Sequence, residues 1–167
     1  MVKRKISLLS CGGWKKLRLS RTRRIFGDPL THLFQFDFVH RVLRCIVTGP
    51  VTYPGLRESC RAVALYVRRA DATAVILDFT AAKSDRNLLG TVRSLGALEF
   101  GSQGRSIQQF IVAASDALYG FARMYQVLTE RTCPRLQVVR SLAEAYAAMN
   151  IEGSNFEPLP DDWQQDL

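Results

Sequence analysis

Ala74-Val75-Ile76-Leu77-Asp78-Phe79 decides the fold. Apolar side chains follow one another without alternation, the pattern of a strand covered on both faces at the centre of a parallel sheet. Such a strand needs a crossover helix on either side, and the flanking sequence supplies both. Upstream, residues 53–69 place Pro54 in a first turn and repeat Leu56, Cys60, Val63, Ala64 and Val67 at helical spacing, with Arg57, Arg61, Arg68 and Arg69 on other faces. Downstream, residues 85–100 read as a second helix, interrupted by Gly90 and Gly96 and followed by the loop Gly101-Ser102-Gln103-Gly104.

Further out the same alternation continues. Leu33 to Phe38 alternates apolar and polar residues, and Val42 to Thr48 follows a short connection, so the two read as an antiparallel hairpin ending at Gly49-Pro50. Residues 110–114 form another buried strand, after which Ser115 caps a third helix running to about Arg131. Leu136-Gln137-Val138-Val139 suits an edge strand, and Ser141-Leu142-Ala143-Glu144 is a capping box opening a fourth helix. The expected fold class is α/β, with about four parallel strands, an added N-terminal antiparallel strand and four helices. Right-handed crossovers between neighbouring strands would put successive helices on one face. Two strands apolar on both sides then need a second cover, which a homodimer would provide.

Charge divides the chain into three parts. Nine of the 23 Lys and Arg residues and a single acid, Asp28, lie in residues 1–30, so that head carries the whole net charge of +8. Residues 32–151 hold the folded domain, and residues 152–167 are an acidic tail with five carboxylates and no base, expected to be mobile. The head could contact nucleic acid or an anionic membrane through its charge, with Trp14 as a stacking residue. A solvated tail is the plainer reading. Cys11, Cys45, Cys60 and Cys133 lack metal-type spacing and fit a reducing cytoplasmic compartment, with Cys60 read as core. No apolar run approaches the ~18 residues of a transmembrane helix, and the apolar stretch after Lys5 is short of the ~7 residues of a signal core.

With that layout, three stretches resemble the SpoIIAA-like domains of the STAS superfamily, found in bacterial anti-sigma-factor antagonists and sulphate-transporter regulatory regions. Val47-Thr48-Gly49-Pro50-Val51-Thr52 is similar to the turn that opens their first helix, and Val75 to Thr80 to the strand ending in Asp. Residues 119–125 and 138–145 look like the last two helices of small bacterial members. The resemblance spans roughly residues 33–150 and implies a SpoIIAA-like (β/α) superhelix that acts in regulation by protein binding, without catalysis. The phosphorylated serine of the antagonists is not carried over: Asn87 and Leu88 stand near its place, and Ser84 is the nearest substitute.

The residues offer little covalent chemistry. His32 and His40 lack a cysteine or second carboxylate at ligand spacing, no G-x-S-x-G elbow marks a hydrolase, and neither Gly49-Pro50 nor residues 101–104 match a phosphate loop. No enzyme activity, metal or cofactor is expected. What remains is a binding rim at the carboxyl ends of the parallel strands, where helix N-termini favour anions or acidic partners. Asp78, Phe79, Thr80, Ser84 and Asp85 would meet Ser115, Asp116 and Tyr119 there, with the hydroxyls as contacts and Phe79 and Tyr119 as apolar walls, to receive a protein partner or a small ligand. The blander alternative makes Ser84 and Ser115 helix caps and Asp78 a strand end.

The head lacks apolar periodicity and carries a like-charge surplus that resists compaction. A chain beginning at Thr31 is therefore expected to unfold in urea at the midpoint of the full chain. Loss of several kcal/mol, a large share of the ~5–15 kcal/mol typical of a domain, would show that the head belongs to the fold.

Overall fold

The computed structural model describes residues 31–84, 88–96, 107–160 and 163; the basic head lies outside them. The hairpin is β1 (Thr31–Asp37) and β2 (Val42–Pro50), paired antiparallel with Phe36 opposite Leu43. Helix α1 (Tyr53–Arg69) leads to β3 (Ala74–Asp78), and a two-residue strand β4 (Ala82–Lys83) precedes α2 (Leu88–Gly96). Then come β5 (Gln108–Val112), α3 (Asp116–Leu128), β6 (Leu136–Val139), α4 (Leu142–Ala148) and β7 (Glu157–Pro158). The sheet has seven strands in the order β6-β5-β3-β2-β1-β7, with β4 paired to β2 off that path. Strands β2, β3, β5 and β6 are mutually parallel, so the hairpin, the four parallel strands and the α/β class agree with the expectation.

Local chemistry accounts for the helix ends. Thr52 caps α1 by accepting from the Gly55 N–H, Ser115 caps α3 from Leu118, and Ser141 caps α4 from Glu144 at 3.2 Å. Glu144 returns a carboxylate to the Ser141 hydroxyl and to the Arg140 N–H, completing the box around α4. Among the described residues α2 begins at Leu88, and the rest of the expected 85–100 helix lies outside them.

One face of the sheet carries the larger core: Phe34, Phe36, Leu43, Cys45, Val47 and Val75 pack with α1 and with Leu118 of α3. The opposite face shows the first correction. Val42, Ala74, Ile76, Phe110 and Val112 are covered by Ala145, Leu142 and Tyr146 of α4, joined by Met149, Ile151 and Phe156. The first three helices each link neighbouring strands in one direction across the sheet, so right-handed crossovers keep them together. Among the described residues no parallel strand follows the edge strand β6, and α4 is free to return on the other side. The sheet therefore needs no second copy to cover that face.

The second correction concerns residues 152–160, part of the stretch 152–167 expected to trail as a mobile acidic tail. Glu157–Pro158 pairs antiparallel with Gln35 and Phe36, and the Leu159 side chain is buried in the main core beside Phe34 and Phe36. Phe156 and Leu159 thus clamp the β1 edge from opposite faces. Asp37, fully buried at the end of β1, fixes the strap. One carboxylate oxygen accepts the Val39 and His40 N–H groups, and the other accepts the His40 ring at 2.9 Å and the Asn155 N–H at 3.2 Å. Burial alone would raise the Asp37 carboxyl, but those hydrogen bonds outweigh it and hold it below its ordinary value. Composition misjudged this stretch because two well-placed apolar residues outweigh a polar average.

Leu159→Ala is expected to cost about 2–5 kcal/mol in urea unfolding, the usual range for truncating a buried leucine. An unattached tail would give no change.

Candidate functional site

Strands β3 and β5 are neighbours, with Asp78 opposite Val112, so the two expected loops do meet at the carboxyl ends of the strands. The Phe79 N–H donates to the Val112 carbonyl at 2.9 Å and ties them together. The residues at this rim nevertheless divide into separate groups.

Asp78 is fully buried and belongs to the face that α4 covers. One carboxylate oxygen accepts the Thr80 N–H at 3.0 Å and the Thr80 hydroxyl at 2.7 Å, closing a local turn; the other accepts Nε and Nη2 of Arg44, at 3.1 Å and 2.5 Å. Arg44 lies two residues before Asp78's partner Ile46 on β2, on the same face of the strand. From there its guanidinium also reaches Gln35 and sits over the Phe156 ring. Asp78 is thus a structural anchor that shapes the loop, and it engages the Thr80 hydroxyl expected to contact a ligand. Ser84 is exposed and follows β4, which pairs with Gly49 and Pro50 at the end of β2; this draws it toward β2. Asp85 lies outside the described residues.

Asp116 and Tyr119 do gather, around a residue that the sequence reading missed, while the Ser115 hydroxyl caps α3. Arg140, just past β6, bonds the Asp116 carboxylate at 2.8 Å and the Ala114 carbonyl at 3.2 Å, and its guanidinium lies 3.8 Å from the centre of the Tyr119 ring. An arginine immediately before a capping-box serine at the end of a parallel strand was the available signal. Arg140 is half-exposed and Asp116 almost wholly so, which leaves charge of both signs facing solvent.

Beside this polar rim, on the face of α1 and α3, lies an apolar cavity of about 70 Å³. Its floor is Leu77, Phe79 and Ile111, and its walls come from all three helices, including Leu56, Val92 and Phe121. Phe79 is thus part of the cavity; Tyr119 packs nearby against the same core without lining it. Cys60 lines the cavity too, half-buried rather than wholly in the core. Burial, and then Cys133, push its thiol up to about 12, so it stays protonated and is a poor nucleophile. Burial likewise raises Tyr125 on the cavity wall.

Neither histidine builds a catalytic centre. His32 is held below its usual value by burial, partly offset by Glu58, and its ring nitrogen lies 3.5 Å from the Ser59 hydroxyl. That hydroxyl is buried and donates to the Gly55 carbonyl at 3.0 Å, so its proton is already committed. His40 serves the Asp37 turn. Among the described residues no group of three His, Cys, Asp or Glu side chains is placed to hold a metal ion, and no helix is long and apolar enough to cross a membrane.

Asp78→Ala would leave the Arg44 guanidinium half-buried without its carboxylate and is expected to cost about 3–5 kcal/mol in urea unfolding. Arg140→Ala removes only half-exposed contacts and should cost about 1 kcal/mol or less. Equal costs would contradict this division of the rim into an anchor and an exposed surface. No family model and no curated protein matches the chain.

Proposed function

We propose that the chain is a non-catalytic, STAS-like regulatory domain of the SpoIIAA-like fold that recognises a protein partner by seating one apolar side chain in the cavity below the rim. The size of the cavity carries the reading. At about 70 Å³ it falls well short of the ~300 Å³ at which small-molecule and cofactor pockets begin. It is also smaller than the ~150 Å³ apolar cavity that accepts benzene in an engineered protein. Room of that order suits one aliphatic side chain better than a whole ligand.

The surroundings favour a macromolecular partner for a second reason. Protein interfaces concentrate energy in an apolar anchor within a pocket, ringed by polar groups that exclude water. Phe79 and Leu118 line the cavity, while Thr80 and Tyr119 follow them in sequence, Ser115 accepts the Leu118 N–H and Arg140 bridges to Asp116 across the rim. The inert thiol of Cys60 and the committed hydroxyl of Ser59 agree with a site that binds without forming a covalent bond.

Ala122 is buried, lines the cavity from α3 and can be enlarged to fill it. Peptides selected for binding to the full chain should share a Leu, Ile, Met or Phe anchor. They should lose affinity roughly thirtyfold for Ala122→Leu, the equivalent of an anchor worth ~2 kcal/mol. The variant's thermal midpoint should stay level or rise as the void fills. Peptides without an apolar anchor, or binding that Ala122→Leu leaves intact, would rule the cavity out.

A further inference from the structure

At the end of the sheet away from the rim, the amino ends of the parallel strands, four of the six exposed large apolar side chains among the described residues occur as two adjacent pairs. Phe38 and Val39 form the tip of the hairpin between β1 and β2, with Val39 77% exposed. Val127 and Leu128 end α3, with Val127 69% exposed. Connections at this end are bonded in a row: the Thr73 N–H donates to the Arg41 carbonyl, Gln108 to Thr73, and Gln109 to Arg135. Four strand spacings separate β1 from β6, so the two tips stand roughly 15–20 Å apart.

Between and beside them lie exposed arginines: Arg41 in the hairpin turn, Arg68 and Arg69 in the last turn of α1, and Arg131 and Arg135 between α3 and β6. The exposed acids at this end are Asp71, which pairs with Arg41, Glu130, Glu152 beyond α4 and Glu157 opposite Phe36, while Asp37 is buried beneath the hairpin tip and bonded to His40. The hairpin tip is held firmly. The Phe38 ring packs edge-on against Phe36 with 5.0 Å between centroids, and Arg41 Nε donates to the Asp71 carbonyl at 2.9 Å.

We infer that this end of the domain rests on an anionic membrane surface, with the Phe38–Val39 and Val127–Leu128 tips in the interfacial layer and the arginines against lipid phosphates. Amphipathic surfaces bind there when apolar side chains enter the headgroup boundary and cations meet anionic lipid. The arrangement fits a membrane better than a protein. A protein interface needs a contiguous, densely packed apolar centre, whereas these tips are separate prongs with arginines between them, which a fluid lipid surface accommodates without shape complementarity. This surface involves neither the basic head nor the cavity, so the inference stands or falls apart from the partner reading.

The test is co-sedimentation of the full chain with phosphatidylcholine vesicles, with and without phosphatidylserine. Val39→Asp/Val127→Asp is compared with the milder Val39→Ser/Val127→Ser. Both sites of change are exposed, and an unchanged thermal midpoint checks the fold. The unaltered chain should pellet with the phosphatidylserine vesicles. The aspartate pair should lower the vesicle partition coefficient roughly tenfold or more and the serine pair should lower it less, because each change removes insertion and only the first adds repulsion. No sedimentation of the unaltered chain overturns the inference. So does an aspartate variant that binds within about twofold of it, which would leave the head as the anchor.

Discussion

Everything in this fold depends on β3 lying between two parallel partners. Residues 74–78 pair with β2 on one side and β5 on the other, which commits both faces of the strand to burial. Three right-handed crossovers then place α1, α2 and α3 on a single face. The other face is left to whatever the chain has after its last parallel strand. Helix α4 and Phe156 meet that need, and because they do, the C-terminal segment must come back across the sheet to the β1 edge. The β7 strap and the buried Asp37 that receives its Asn155 N–H follow from a constraint set at the centre of the molecule.

The same arrangement sorts the residues at the strand ends by face. Alternation along β3 sends Asp78 to the α4 side and Phe79 to the side of the first three helices. A carboxylate and an aromatic ring adjacent in sequence thereby acquire unrelated tasks: one fastens Arg44 and the Thr80 turn, the other floors the cavity. Only the ring is available to a binding partner. The two ends of the domain also contrast. The rim joins a cavity to a compact cluster of opposite charges, while the far end offers separated apolar tips with arginines between them. A domain resting on lipid by the second would hold the first away from the surface.

Local signals in the chain were sufficient where a single element or turn was at stake. Pro54 in a first turn and the Ser141 to Glu144 box set the starts of α1 and α4, whereas of the apolar series in α1 only Leu56 and Val67 are buried, the buried side being completed by Ser59, Ala62 and Tyr66. The apolar run at residues 74–79 announced a parallel strand before any partner was known. Of the candidate site, the meeting of the β3 and β5 loops could be read ahead of the structure. Arg140 offered only its place between a strand end and a capping box; its approach to Asp116 and Tyr119 joins positions 24 and 21 residues away in sequence, which that local signal does not specify.

Sequence by itself determined the α/β class, the order of the elements apart from β4 and β7, both ends of α1 and β6, and the pairing of the hairpin, because caps, turns and hydrophobic period act over a few residues. Tertiary structure alone decided which side α4 takes, that Glu157–Pro158 joins the sheet, that Cys60 faces a cavity, and that Asp78 is an anchor. Those outcomes depend on which faces remain uncovered once the parallel strands have assembled. Burial of that kind belongs to the packed whole and to no single segment of the chain.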